Sequence, residues 1–128
     1  MDIKLQERLF KKYDYMFRER HLDMNQSPMF WGIQCGNGWI KVIDKMCSKI
    51  QKHLNKNYIE DFAITTIKEK FGLLRVYANY GDDAIDKIID DAEKESGKTC
   101  EACGKKGKIS KHQGWLSCLC PKCLKEKK

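Results

Sequence analysis

Cys100, Cys103, Cys120 and Cys123 form two C-x-x-C pairs separated by sixteen residues, Cys100-Glu-Ala-Cys103 and Cys120-Pro-Lys-Cys123. Two residues between cysteines let one tight turn aim both sulfurs at a single ion. Two such turns complete a tetrahedron of thiolates at ~2.3 Å from a zinc ion. Gly104 relieves the backbone where the first turn bends, and Pro121 stiffens the second. The pattern therefore predicts one structural zinc. Between the pairs, residues 108–111 and 115–119 read as two short strands turned by His112-Gln113-Gly114, a zinc-ribbon arrangement. A treble clef would require a helix after the second pair, and only five residues follow Cys123. His112 and Cys118 are the rival ligands. Cys118 alternates with Cys120 along a strand, so it should face the opposite way and pack as a small residue.

Catalytic zinc chemistry needs an open coordination position and usually fewer thiolates. The His-x-Glu that precedes a Pro-Cys-x-x-Cys in nucleobase deaminases does not occur, because neither His21 nor His53 begins it and Pro121 follows Cys120. A nuclease reading lacks a histidine cluster near His112. These considerations predict a protein that is not an enzyme. Cys35 and Cys47 read as buried small residues, Trp31 and Trp39 as core, and His21 and His53 as surface residues, while Trp115 is left open. Arg75 lies among apolar strand residues, where it pairs with a carboxylate such as Glu69 or meets a partner.

The elements that must carry these residues follow from periodicity. Leu5, Leu9, Tyr13 and Phe17 recur every fourth position, broadened by Met16, and predict a helix over 4–20. Ser27-Pro28 and Gly36-Asn37-Gly38 break the pattern over 25–38, an ordered loop lying on the core. A second amphipathic helix is expected over 39–56. Ile40, Ile43, Met46, Cys47, Ile50 and Leu54 form one face, Asn37 is a candidate N-cap, and lysines 41, 45, 49, 52 and 56 mark the wet side. Alternating β-branched residues over 61–80, interrupted at Gly72, predict an antiparallel hairpin. Asp82 or Asp83 should cap a third helix through Ile85, Ile88, Ile89 and Ala92, stopped by Ser96-Gly97. The expected fold is α+β: about three helices and an antiparallel β-hairpin over 1–97, with a zinc-binding ribbon or knuckle over 98–128 packed on the same domain, its last residues, Lys125 to Lys128, frayed.

Charge separates the two parts. Residues 1–97 carry 16 basic and 16 acidic side chains. Residues 98–128 carry nine lysines against Glu101 and Glu126, so the whole net charge of +7 lies in the tail. Four thiolates and one Zn²⁺ reduce the tail to about +5. Part of that excess offsets the thiolates, and the rest suits an acidic partner or nucleic acid. Lys105, Lys106, Lys108 and Lys111, with Trp115 and Arg75, are the candidate partner-binding residues. Trp115 is the only aromatic residue among the tail lysines, which gives little of a single-strand stacking platform. The chain has no apolar run approaching the ~18 residues of a membrane span. Its N-terminus is charged throughout, without a signal peptide's apolar block, and the seven cysteines are an odd number, against a complete disulfide framework. A cytoplasmic location is expected, with no membrane and no small-molecule substrate.

Three segments resemble a family of small zinc-containing proteins encoded by bacteriophages and prophages. They are Cys35-Gly-Asn-Gly-Trp39, Ile67-Lys-Glu-Lys-Phe-Gly-Leu-Leu-Arg-Val-Tyr77, and Thr99-Cys-Glu-Ala-Cys-Gly104 followed by Gly114-Trp115 and Leu119-Cys120. Together they span residues 35–123. Most members close the last motif with Cys-x-x-His, where this chain has Cys123, and either residue serves zinc. In size and zinc tail the chain resembles a phage-borne anti-CRISPR protein that inhibits type II Cas9. The resemblance implies a non-enzymatic inhibitor in the host bacterial cytoplasm that binds Cas9 or its guide complex stoichiometrically. The alternative is a phage nucleic-acid-binding accessory protein acting through the basic ribbon.

Overall fold

The computed structural model describes residues 1–126; of the stretch expected to fray, Lys125 to Lys128, Lys125 and Glu126 instead end a short helix, and Lys127 and Lys128 lie outside the described residues. The first helix, α1, covers Ile3–Lys12 and ends well before residue 20. The apolar stripe continues past it, with Tyr13, Met16 and Phe17 all buried, but in turns followed by a 3₁₀ segment at Arg18–His21. Tertiary bonds hold the chain in turns here. The Met16 carbonyl accepts from the Ile64 amide at 2.9 Å. The Arg18 guanidinium donates to the Phe62 carbonyl at 2.5 Å, and the Tyr15 hydroxyl to that of Glu60.

The segment expected as loop contributes to a sheet. After a 3₁₀ turn at Pro28–Trp31, β1 (Ile33–Gln34) runs parallel to β2 (Ala63–Lys70), with Ile33 opposite Ile67. The hairpin to β3 (Leu73–Asn79) is antiparallel as the alternation predicts. Phe71 and Gly72 both take positive φ, the two-residue type I′ turn that matches strand twist. The result is a three-stranded mixed sheet in the order β1-β2-β3. Met29 and Ile33 are buried, but Trp31 is 61% exposed and stacks edge-on against Phe30, so the expectation that Trp31 is core is wrong.

Helix α2 (Ile40–Lys56) buries Val42, Ile43, Met46, Cys47, Ile50 and Leu54, close to the expected face. Asn37 does not cap it. A 3₁₀ turn at Asn37–Trp39 leads in, and the Asn37 side chain instead accepts from the Asp2 amide at 2.8 Å. Helix α3 (Asp83–Ser96) begins at Asp82, whose carboxylate accepts from the Ile85 amide at 2.9 Å. That carboxylate also meets His53 of α2 at 2.7 Å, so His53 is a half-buried inter-helix contact and not a free surface residue. At the other end of α3, the buried Ser96 hydroxyl accepts from the Leu74 amide and donates to the Glu93 carbonyl. Glu93 accepts from the Val76 amide at 3.1 Å and lies 3.7 Å from Arg75, so Arg75 pairs with Glu93 across to the helix. Glu69, its expected partner, instead accepts from the Gly72 amide inside the turn.

The core runs from α1 through α2 to the sheet and includes Trp39, Phe17, Phe62, Ile43, Ile50, Ile67 and Leu74, with Cys35 and Cys47 among them as expected. Cys118 of the tail belongs to the same cluster, so the tail completes this core. Among the described residues, no helix is long and apolar enough to cross a membrane.

Candidate metal centre

Backbone bonds close the knuckle that opens the tail. The Gly104 amide returns to the Cys100 carbonyl at 2.9 Å, and the Cys100 amide to that of Lys105 at 2.7 Å. Gly104, at φ 83°, supplies the left-handed residue this turn needs. The strands β4 (Lys108–His112) and β5 (Trp115–Leu119) pair antiparallel through a second type I′ turn at Gln113-Gly114. A short helix follows, α4 (Pro121–Glu126). Pro121 takes its first position, where the missing amide hydrogen costs nothing. The ribbon reading allowed no such helix. Cys120 immediately precedes it and Cys123 lies in its first turn. Knuckle, hairpin and helix thus follow one another in treble-clef order, with a single short turn of helix sufficient to aim the second pair.

The four sulfurs of Cys100, Cys103, Cys120 and Cys123 lie within 4.8 Å of one another, and Cys103 Sγ is 3.6 Å from Cys120 Sγ. A tetrahedral ion with ~2.3 Å bonds to sulfur would set these edges near 3.8 Å. The cluster therefore has the donor set and the dimensions to hold one metal ion. The two rivals fall away on geometry. Cys118 is fully buried on the other side of β5 and its thiol donates to the Thr99 carbonyl at 3.2 Å, and His112 stands at the far end of the hairpin, opposite Trp115.

The surroundings divide the four thiols, lowering the pKa of Cys100 and Cys120 and raising that of Cys103 and Cys123. Burial works against the Cys100 thiolate, but backbone amides of Cys120, Cys103 and Ala102 outweigh it and bring its pKa down to about 7. The Cys123 thiol is pushed up to about 12, first by its hydrogen bond to Cys120 and then by burial. Four thiols this close share their protons unevenly because four negative charges repel. A dication removes that conflict and deprotonates all four.

The knuckle is docked on the core through the glycine-rich turn before α2. The Gly38 amide donates to the Glu101 carbonyl at 2.7 Å, and the Gly36 amide to the Glu101 carboxylate at 2.8 Å. The buried Trp39 indole donates to the Thr99 carbonyl at 2.8 Å. A Cβ on Gly38 would stand 2.1 Å from the Cys100 carbonyl oxygen, and one on Gly36 2.4 Å from that of Glu101. Glycine is required at both positions because the two backbones touch. The β2–β3 turn touches the tail as well, with Gly72 against Ile109 and Ser117. The segments Cys35–Trp39, Ile67–Tyr77 and Thr99–Cys120 thus meet around one element.

No family model, curated protein or solved structure matches this chain.

The partner-binding candidates do not share one surface. Lys105, Lys106, Lys108 and Lys111 are all exposed, but Lys108 and Lys111 are three positions apart on β4 and so lie on opposite faces. Trp115 is 75% exposed at the hairpin tip. Arg75 is engaged with Glu93 on a different element. The sequence offered no sign of the groove between β4–β5 and α4, because that helix was not expected.

Proposed function

We propose that this chain is a non-enzymatic, zinc-stabilised binding protein of phage origin that inhibits type II CRISPR-Cas9 by stoichiometric attachment. Zinc is the ion that suits four thiolates in a closed tetrahedron with no position left for water or substrate. In that role the metal replaces core the tail does not have. The observation that carries the binding reading is the state of the tail lysines. Among the described residues, none of lysines 98, 105, 106, 108, 111, 122 and 125 is in an ion pair within the chain, although six ion pairs form elsewhere. Cations held unpaired on a rigid, metal-tied element are available to a partner. The Cas9 assignment comes from the sequence resemblance. It is supported by the contact of the other two resembling segments with the cysteine-rich tail, the Gly36–Trp39 turn on the knuckle and Gly72 on the β4–β5 hairpin.

The test is target-DNA cleavage by purified Cas9 and guide RNA with this protein titrated in, alongside gel filtration of the mixture and metal analysis of the protein. The reading expects loss of cleavage at one equivalent, a co-eluting complex, and one colourless zinc per chain. Full cleavage without a complex across several Cas9 orthologues overturns the inhibitor assignment. Iron, with its visible absorption, overturns the zinc assignment.

A second reading, a nucleic-acid accessory protein, is favoured by the exposed Trp115 among those lysines. It expects affinity for DNA or RNA that falls steeply with salt and is abolished by charge reversal of Lys105, Lys106, Lys108 and Lys111.

A further inference from the structure

The outer face of the β4–β5 hairpin and helix α4 enclose an open groove of about 470 Å³, floored by Leu119, Pro121 and Leu124 and rimmed by Lys106 and Lys108. Gly107 begins the hairpin by lying against the knuckle, where a Cβ would come within 2.9 Å of the Cys100 amide nitrogen. That close approach sets the depth of the groove. The metal-ligating turn fixes α4 on the other side, since Cys120 and Cys123 bracket Pro121 and the Leu124 amide is bonded to the Cys120 carbonyl at 2.9 Å. A metal held by the four cysteines would therefore tie the α4 wall of the groove to the knuckle.

We propose that this groove is a docking site for a short acidic peptide segment with an aliphatic or aromatic anchor, on a partner protein. The floor is apolar, so the occupant must bring a side chain that gains from leaving water. Among the described residues, the rim carries two lysines in no ion pair and no carboxylate, so the residues flanking that anchor are Asp or Glu. Such rim pairs add selectivity and speed of association more than affinity. Nucleic acid fits less well. Among the described residues, no aromatic side chain lines the groove for base stacking, and the alternation of β4 sends Lys111 to the opposite face from Lys108, which breaks the track of cations along that strand. The inference rests on the binding reading in taking the partner to be a protein, but does not require that it be Cas9.

The experiment selects a random short-peptide library on the intact zinc-loaded protein, then titrates the enriched peptides while following backbone amide shifts. The expected result is enrichment of peptides with at least two carboxylates close to a Leu, Ile or Phe. Shifts should centre on Gly107, Leu119 and Leu124, and binding should weaken about tenfold when the anchor becomes Ser or when Lys106→Glu and Lys108→Glu are combined. Both lysines are exposed and neither ligates the metal, so unchanged zinc content in that variant shows the fold is intact. No enrichment, peptides without this pattern, or indifference to the two charge reversals overturns the proposal. So does a single-stranded DNA oligonucleotide that produces the same shifts with tighter binding, or self-association in which α3 of a second copy, with Asp83, Asp86, Asp90 and Asp91, fills the groove. Cleavage inhibition is not a readout here, so failure of the groove and failure of the Cas9 reading are separable.

Discussion

Glu101 is the residue through which the metal element is read by the rest of the chain. It sits between two metal ligands in sequence, and both its carbonyl and its carboxylate receive amides from the turn at Gly36–Gly38. The bonds are directional and the contact is backbone to backbone, so side chains cannot adapt around a change. Gly38→Ala is accordingly expected to destabilise the protein by about 3 kcal/mol, near the upper end for an overpacked site. Chemical denaturation of the metal-bound variant checks this, and a loss below about 1 kcal/mol would mean the two backbones do not touch. In the β2–β3 turn, Phe71 holds φ 55° while 63% exposed. A bulky residue there costs stability that Asn would not. Phe71→Asn should raise stability by roughly 0.5–1 kcal/mol, read from the same denaturation curves.

At the scale of elements, α2 and α3 are joined at their ends by the His53–Asp82 contact, which also starts α3. His53 and then the Ile85 amide hold the Asp82 carboxyl below the usual carboxylate range. A group whose pKa falls on folding contributes stability that is present above its unfolded value, near 3.9, and is lost as pH drops through the folded one. Asp82→Asn retains an acceptor for the cap but no titrating charge. Its melting temperature should therefore fall less steeply than that of the parent below about pH 4, and parallel acid profiles would contradict the linkage. Helices α2 and α3 and both hairpins were legible because their apolar periods are complete and their turns carry Gly72, Gly114 or Asp82. What escaped the sequence has a common cause. Helix α1 stops early because Met16 answers Ile64 from another part of the chain. Strand β1 has two residues and is defined by Ile67. Trp31 resembles Trp39 in type and neighbourhood, yet only Trp39 finds a carbonyl to bond. Local pattern contains none of these partners. The cysteine spacing was legible because it is the spacing that brings four sulfurs within reach of one ion, whereas α4 is too short for periodicity to reveal.

At the scale of the molecule, the division at residue 97 separates charge but not structure. Cys118 lies in the main core, Thr99 holds Trp39, and Gly72 rests on the hairpin of the tail. Metal removal should consequently unfold more than the tail. With a chelator, or in Cys120→Ala, loss of helical circular dichroism and faster amide exchange at Gly36 and Gly38 should accompany loss of the ion in one transition. A tail that loosens while α2 and α3 keep their protection would show two independent units. The docking of Thr99 and Glu101 on the Gly36–Trp39 turn also has a consequence for how the protein is made. On the ribosome, the start of α2 emerges long before its partners, and the buried indole of Trp39 has no acceptor until residue 99 clears the exit tunnel. The cysteine cluster beside that acceptor is complete only at Cys123. The start of α2 therefore stays undocked until the stretch from Thr99 to Cys123 has been made.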